Sequence, residues 1–209
     1  MIAIIDYDAG NLASVERAVS YLGFKCIVTN NIKTIAGSER IIFPGVGAAG
    51  AAMDSLKRLG LDSAIKQAVI DGKPILGICL GTQIIMEYSE ENETACLKII
   101  DGFVKAFPPD IKSKDGSRLK IPHMGWNGLK NIKKHPVLSG LNEDDEFYFV
   151  HGYYPYPTDS EHILGTTDYG IFFASVIGFN NIIATQFHPE KSGRPGLSLL
   201  KNFCMWNPC

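Results

Sequence analysis

Pro74-Ile75-Leu76-Gly77-Ile78-Cys79-Leu80-Gly81-Thr82-Gln83-Ile84-Ile85 decides the fold. Pro74 opens a short apolar run, Ile75 to Ile78, with the length and composition of a buried strand. From Leu80 the pattern turns helical through Ile84, Ile85 and Tyr88. The junction, Gly77-x-Cys79-x-Gly81, has the spacing of a nucleophile elbow with cysteine in place of serine. Two glycines there permit a strained turn that lifts the thiol above the sheet edge. The following helix would aim its N-terminal N–H groups and positive dipole at the sulfur, which favours the thiolate. The N–H of Leu80 is placed to donate to a developing oxyanion. A cysteine in an apolar run is ordinarily a packing residue, the reading given to Cys26 and Cys204; Cys79 departs from it through its two flanking glycines.

Outward from this stretch, the first half alternates apolar runs with amphipathic segments, the pattern of strands and crossover helices in an α/β domain. Strands are expected at Ile2 to Ile5, Phe24 to Val28 and Arg40 to Phe43. Leu12, Val15, Val19 and Leu22 mark one helix, with Asn11 as its N-cap and Gly23 as its stop. Ala48 to Leu59 and a segment from Leu61 to Gly72 form two more. In the second half strand candidates follow one another directly: Gly102 to Phe107, Arg118 to Ile121, Phe147 to Val150, Ile163 to Thr167, Ile171 to Ile177 and Ile182 to Phe187. Pro195 and Gly196 open a last helix carrying Leu199, Leu200, Phe203 and Trp206. The expected architecture is one α/β domain over residues 1–209, with a central mixed, mostly parallel sheet flanked by helices.

Composition narrows the function classes. The 209 residues carry 20 basic and 22 acidic side chains, a net charge of −2, so nothing points to nucleic acid. The short charged runs Lys130 to Lys134 and Glu143 to Glu146 read as solvated loops. Cysteines at 26, 79, 96, 204 and 209 form neither a disulfide framework nor a metal-ligand array, so no metal and no cofactor is expected. Only four apolar residues follow Met1 before Asp6, and no later run approaches the ~18 of a membrane span. The expectation is a soluble protein of a reducing cytoplasm.

A thiol nucleophile needs a base, and the base needs an orienting group. Gln186-Phe187-His188-Pro189-Glu190-Lys191-Ser192 supplies both at the end of an expected strand. Residues i and i+2 of an extended segment share a side, so His188 and Glu190 can cooperate. Pro44-Gly45-Val46-Gly47-Ala48, again between strand and helix, lets the backbone approach a ligand. The N–H of Val46 or Gly47 could complete an oxyanion hole with Leu80. A dinucleotide site would use Gly45, Gly47 and Gly50, but the acid about 20 residues on, Asp71, falls at a helix end instead of a strand end.

Together, these three motifs resemble the class I glutamine amidotransferases, a family of Cys-His-Glu glutaminases. The resemblance puts Cys79, His188 and Glu190 on the family's triad, in its order, with Gly45 and Gly47 on its oxyanion strand and Gln83 on the residue that holds L-glutamine. It implies hydrolysis of glutamine through a glutamyl thioester, with ammonia released to an acceptor. Asp6 to Leu12, His123 to Asn127, Phe149 to Tyr153 and Gly196 to Trp206 extend the likeness to one branch, the glutaminase subunits of imidazole glycerol phosphate synthases. That branch serves histidine biosynthesis by passing ammonia to a cyclase with a (β/α)8 barrel, in a heterodimer. By this similarity Gly152 and Tyr153 line the glutamine pocket through their backbone, and Asn11, Trp126, Tyr148 and Lys191 lie at the partner face.

The branch usually has glycine where this chain has Asp8, a small hydroxyl residue at Gly152, and a glycine-rich stretch around Ala95-Cys96-Leu97-Lys98. Three other readings compete: a paralogue feeding ammonia to a sugar amidotransferase, a stand-alone cysteine peptidase or γ-glutamyl hydrolase, and a non-catalytic regulatory subunit. Gln83 weighs against the hydrolase, and the intact triad weighs against the regulatory subunit. A chain of this length filled by an ammonia-producing site has no room for a site that uses the ammonia, so a second protein is expected.

Overall fold

The run Ile2 to Ile5 is short enough for a strand and hydrophobic at every position, so it needs cover on both faces. In the computed structural model, which describes residues 1–8 and 10–208, it obtains that cover from helices. Ala9 of the N-terminal motif and Cys209 lie outside the described residues. β1 (Ile2–Ile5), β2 (Cys26–Thr29), β3 (Arg40–Gly45) and β4 (Ile75–Cys79) are mutually parallel, in the order β4-β3-β1-β2. Between them run α1 (Leu12–Tyr21), α2 (Ile32–Ala36), α3 (Ala49–Leu59) and α4 (Leu61–Ile70), and α5 (Leu80–Ile84) follows β4 directly.

The second half first builds β5 (Tyr88–Ser89), β6 (Thr94–Ala95), β7 (Gly102–Ala106), β8 (His123–Gly128), β9 (Glu146–His151) and β10 (Tyr153–Pro157). These form a small four-stranded sheet, β10-β7-β5-β6, and the antiparallel hairpin β8-β9. β11 (Ile163–Asp168), β12 (Phe172–Phe179) and β13 (Ile182–Thr185) then join the main sheet, with β13 parallel to β4 and the outer two antiparallel. The seven-stranded order β11-β12-β13-β4-β3-β1-β2 is the mixed, mostly parallel sheet expected. α6 (Gly193–Met205) closes the chain.

Strand alternation splits the core in two. Ile2, Ile4, Leu76 and Ile78 meet Val15 and Val19 of α1 and Leu199, Leu200 and Phe203 of α6 on one face. Ala3, Ile5, Ile41 and Phe43 meet Met53, Leu56 and Ile65 of α3 and α4 on the other. Gly60, at φ 68, ends α3 and begins α4 without a break, a conformation that glycine adopts without a Cβ clash. Among the described residues no helix is long and apolar enough to cross a membrane.

Several expectations change. The helix after Cys79 stops at Ile84, and Tyr88 starts a strand: Leu80 to Met86 are buried on every side, so their apolar run reflects burial and not a helix face. Arg118 to Ile121 contributes only the isolated bridge Lys112 to Arg118, with Pro122 following at once. Proline lacks the N–H needed for a ladder. The strand of that region is β8, hidden in the sequence by its glycines and polar residues. β10 and α2 were not expected either.

Candidate active site

The parallel strands β3, β4 and β13 end at one edge of the sheet, where open α/β folds place their sites. Cys79 is the last residue of β4 and sits at φ 54, ψ −106 immediately before α5. Such a backbone is strained for a residue with a Cβ, and it persists because its surroundings hold it. Gly81 is part of that hold: a Cβ there would lie 1.9 Å from the Phe43 carbonyl oxygen, so only glycine lets α5 press onto β3. The Leu80 N–H belongs to the first residue of α5 and has no partner within that helix. The Cys79 sulfur is 3.9 Å from the Val150 carbonyl and accepts from Gln186 Nε2 at 3.8 Å.

His188 follows β13 and is braced through its backbone. Its N–H donates to the Tyr148 carbonyl at 2.9 Å, and Ser192 Oγ donates to the His188 carbonyl at 2.6 Å. Ser192 Oγ in turn accepts from the Tyr148 N–H at 3.0 Å, tying the loop to β9. His188 Nδ1 is 2.8 Å from Glu190 Oε1, and both side chains are almost wholly buried. Glu190 lies in a 3-10 turn, Pro189–Lys191, so turn geometry and not the expected extended alternation brings the pair together.

His188 Nε2 is buried with no strict hydrogen-bond partner, while the Cys79 sulfur is close enough to influence the ring's charge. Burial opposes that charge, but Cys79 and then Glu190 outweigh it and raise the His188 pKa to about 9. A protonated imidazole beside a sulfur favours thiolate chemistry. Burial pushes the Cys96 thiol up to about 11 and that of Cys204 to about 12. Cys26 is half-exposed and not the fully buried residue expected.

A cavity of about 360 Å3 opens above Cys79, lined by Val46, Gly47, Leu80, Gln83, Glu91, Val150, His151, Gly152 and Tyr153 among others. All four residues expected to hold substrate are at or beside it, with Gly45 directly before Val46 in the loop. A larger hollow of about 720 Å3 lies among Lys130, Lys133 and Lys134 and contains none of these groups. Gln83 Nε2 donates to the Tyr153 carbonyl at 3.0 Å and to Gln186 Oε1 at 3.0 Å, bonds that leave its Oε1 unused. Gly47 sits at φ 109 with open space where a Cβ would point.

The residues expected at the partner face divide. Trp126 is 54% exposed, its ring 6.0 Å from that of Tyr148, and Lys191 Nζ lies 5.9 Å from the Tyr148 ring centre. Asn11 instead faces inward. It occupies the N-cap position of α1 at φ 74 but makes no cap bond, and its Nδ2 donates to Glu190 Oε1. Sequence reasoning missed this pairing, and it missed Gln186 and Glu91, whose Oε2 accepts the Ala49 N–H at 2.7 Å.

The departures from the branch have local explanations. Asp8 takes φ 66, where glycine would be unstrained, and its carboxylate bonds Ser55 at 3.0 Å and Arg58 at 2.6 Å on α3. A Cβ at Gly152 would meet only Ile121, at 3.9 Å, so the hydroxyl residue usual there would fit. Lys98, in the stretch where the resemblance implies a glycine-rich run and this chain has none, also has positive φ, at 53.

Residues 3–206 match the class-I glutamine amidotransferase family. Imidazole glycerol phosphate synthase subunit HisH of Nitratidesulfovibrio vulgaris (strain Miyazaki F) is 48% identical over 203 residues, 97% of this chain and 95% of that protein. The subunit of the same name from Acinetobacter baylyi is 46% identical, over 99% and 98%. Two solved structures share the fold at low identity. The glutaminase domain of Trypanosoma brucei CTPS, with bound acivicin, has a TM-score of 0.65 at 16% identity, over 100% of this chain and 95% of that one. PurLQS from Thermotoga maritima has a TM-score of 0.68 at 15% identity, over 98% and 97%. With its elbow cysteine, braced histidine and near-complete sequence match, the chain belongs to the class-I glutamine amidotransferases.

Proposed function

We propose that this chain is the glutaminase subunit of an imidazole glycerol phosphate synthase, hydrolysing L-glutamine to glutamate and passing the ammonia to a cyclase partner. The observation that carries the reading is Cys79 in the lining of a cavity of about 360 Å3, an adequate size for one amino acid, with the buried His188–Glu190 pair close enough for the sulfur to act on the ring's charge. The extent of identity to the HisH subunits supports the choice of acceptor.

In the proposed reaction the Cys79 sulfur attacks the side-chain amide carbon of glutamine. The carbonyl oxygen takes up the negative charge and is met by the Leu80 N–H and by that of Val46 or Gly47. Collapse of the tetrahedral intermediate breaks the carbon–nitrogen bond as His188 gives its proton to the leaving nitrogen, forming ammonia and a glutamyl thioester. His188, now neutral, takes a proton from water as the water attacks the thioester, releasing glutamate and restoring the Cys79–His188 pair. Glu190 keeps the ring oriented and favours its charged form throughout. Glu91 gives the cavity wall a carboxylate suited to the α-ammonium of the substrate, and Gln83 Oε1 offers an acceptor.

Ammonia would leave toward the exposed Trp126, Tyr148 and Lys191 surface, where a (β/α)8 barrel cyclase would dock to give a cytoplasmic heterodimer. Purification of the native complex tests this, with glutamate and ammonia release measured in the presence of the cyclase's own substrate. Cys79→Ala should stop glutamate release while leaving the partner bound. A substituted complex that still released glutamate would remove Cys79 from the mechanism, and a co-purifying sugar amidotransferase would redirect the ammonia.

A further inference from the structure

The hydroxyl of Tyr7 has no partner in the arrangement described. Tyr7 follows β1, is 1% exposed and packs its ring against Phe43 with centroids 5.3 Å apart. Its Oη is buried without a hydrogen bond. Such a group is destabilising relative to a satisfied one, and phenylalanine would fill the same space without that penalty. Burial, and secondarily Cys79, push the phenol's pKa upward, so it remains a donor through the physiological range.

The position of this hydroxyl is specific. A Cβ at Gly45 would lie 1.9 Å from Tyr7 Oη, so the phenol occupies room that only a glycine leaves beside the loop Gly45 to Gly47. Val46 and Gly47 line both the Cys79 cavity and a second hollow of about 580 Å3, which Tyr7 also lines. In a trans peptide the N–H and C=O point in opposite directions. Turning an N–H of this loop into the Cys79 cavity therefore turns the carbonyl of the same peptide away from it, and Tyr7 lines the hollow on the loop that is not the Cys79 cavity. Gly47 has the positive φ and the open surroundings that allow such a turn.

We propose that Tyr7 Oη donates to a carbonyl of the Gly45 to Gly47 loop when that loop presents its N–H to the oxyanion. Tyr7 is then a positioning residue of the oxyanion hole, an assignment that rests on the glutaminase reading. The hydroxyl is idle in the resting arrangement and satisfied in the reacting one, so its binding energy is realised where it lowers the barrier.

The test is Tyr7→Phe in the full chain bound to its partner, with kcat, KM for glutamine, thermal midpoint and the rate of Cys79 alkylation by iodoacetamide measured beside the unsubstituted complex. The expected result is a kcat lowered by about tenfold, the loss of about 1.4 kcal/mol at the transition state. KM and the alkylation rate should stay within about twofold, and the midpoint should be unchanged or higher, because no hydrogen bond of the resting state is removed. An unchanged kcat would overturn the proposal. So would a lowered midpoint, which would reveal a resting partner for the hydroxyl. If the unsubstituted complex hydrolysed no glutamine, or Cys79→Ala still did, the glutaminase reading would fail and the proposal with it.

Discussion

The two walls that meet at Cys79 are held in different ways. On one, His188 is fixed at its backbone by Tyr148 and Ser192 and at its ring by Glu190, which is itself held by Asn11. On the other, the loop Gly45 to Gly47 has a glycine at φ 109, open space beside it and an unpartnered phenol behind it. Proton transfer depends steeply on geometry, so side chains from distant segments cross-brace the proton-handling groups. Under the proposed function, oxyanion stabilisation would need only a backbone N–H turned the right way, and Gly47, with open space beside it, would permit that turn. If the partner of the proposed function docks near this loop, it would bias the loop's orientation at little energetic expense. Low glutaminase activity of the isolated chain is therefore expected; turnover as fast alone as in the complex would refute this division of roles.

Substitutions on the braced wall should have the largest effects. Cys79→Ala should reduce glutamine hydrolysis to background. Glu190→Gln keeps the shape but removes the charge that favours imidazolium, and should lower kcat by about 10²- to 10⁴-fold. Asn11→Ala leaves a buried carboxylate short of a charge-assisted hydrogen bond and should lower kcat by about tenfold or more. An unchanged kcat in either of the last two would show that the bracing is incidental.

The pH dependence follows from His188, whose pKa is raised from its ordinary value of about 6.5 to about 9. A raised value means the folded state holds the proton more tightly than the unfolded chain. The resulting stabilisation is complete below about 6.5 and is lost as pH rises through about 9. Activity should decline over the same upper limb, as the acid for the leaving nitrogen disappears, and both trends should weaken in Glu190→Gln. A midpoint and rate independent of pH between 7 and 10 would contradict the assignment. The smallest effect is expected at Asp8. Asp8→Gly relieves a positive φ and loses an exposed ion pair, so the thermal midpoint should move by less than about 3 °C and kcat by less than about twofold.

The same contrast explains what was legible in the sequence. The elbow could be read because its parts are contiguous: Gly77, Cys79 and Gly81 mark where a strand period becomes a helix period. His188 and Glu190 could be read for the same reason, although a 3-10 turn pairs them. The bracing could not, because Asn11 and Glu190 are 179 residues apart and Cys79 and Gln186 are 107 apart. No local spacing records such contacts, and Asn11 carried a more obvious local role as an N-cap. Glu91 was obscured in another way, lying in a short polar turn whose purpose becomes visible only when α3 begins against it. β8 was missed because its alternation runs through Gly125, Asn127 and Gly128, residues with low strand preference that pair here through β9.

The most direct test is to locate the covalent intermediate. The complex would be mixed with glutamine, quenched in acid within the turnover time, and studied by intact-protein and peptide mass spectrometry. A single glutamyl group on the Cys79 peptide, absent in Cys79→Ala and accumulating in a variant with slowed thioester hydrolysis, is the expected result. Turnover with no adduct under any quench time, or an adduct on Cys26, Cys96 or Cys204, would contradict the account of Cys79 as the nucleophile.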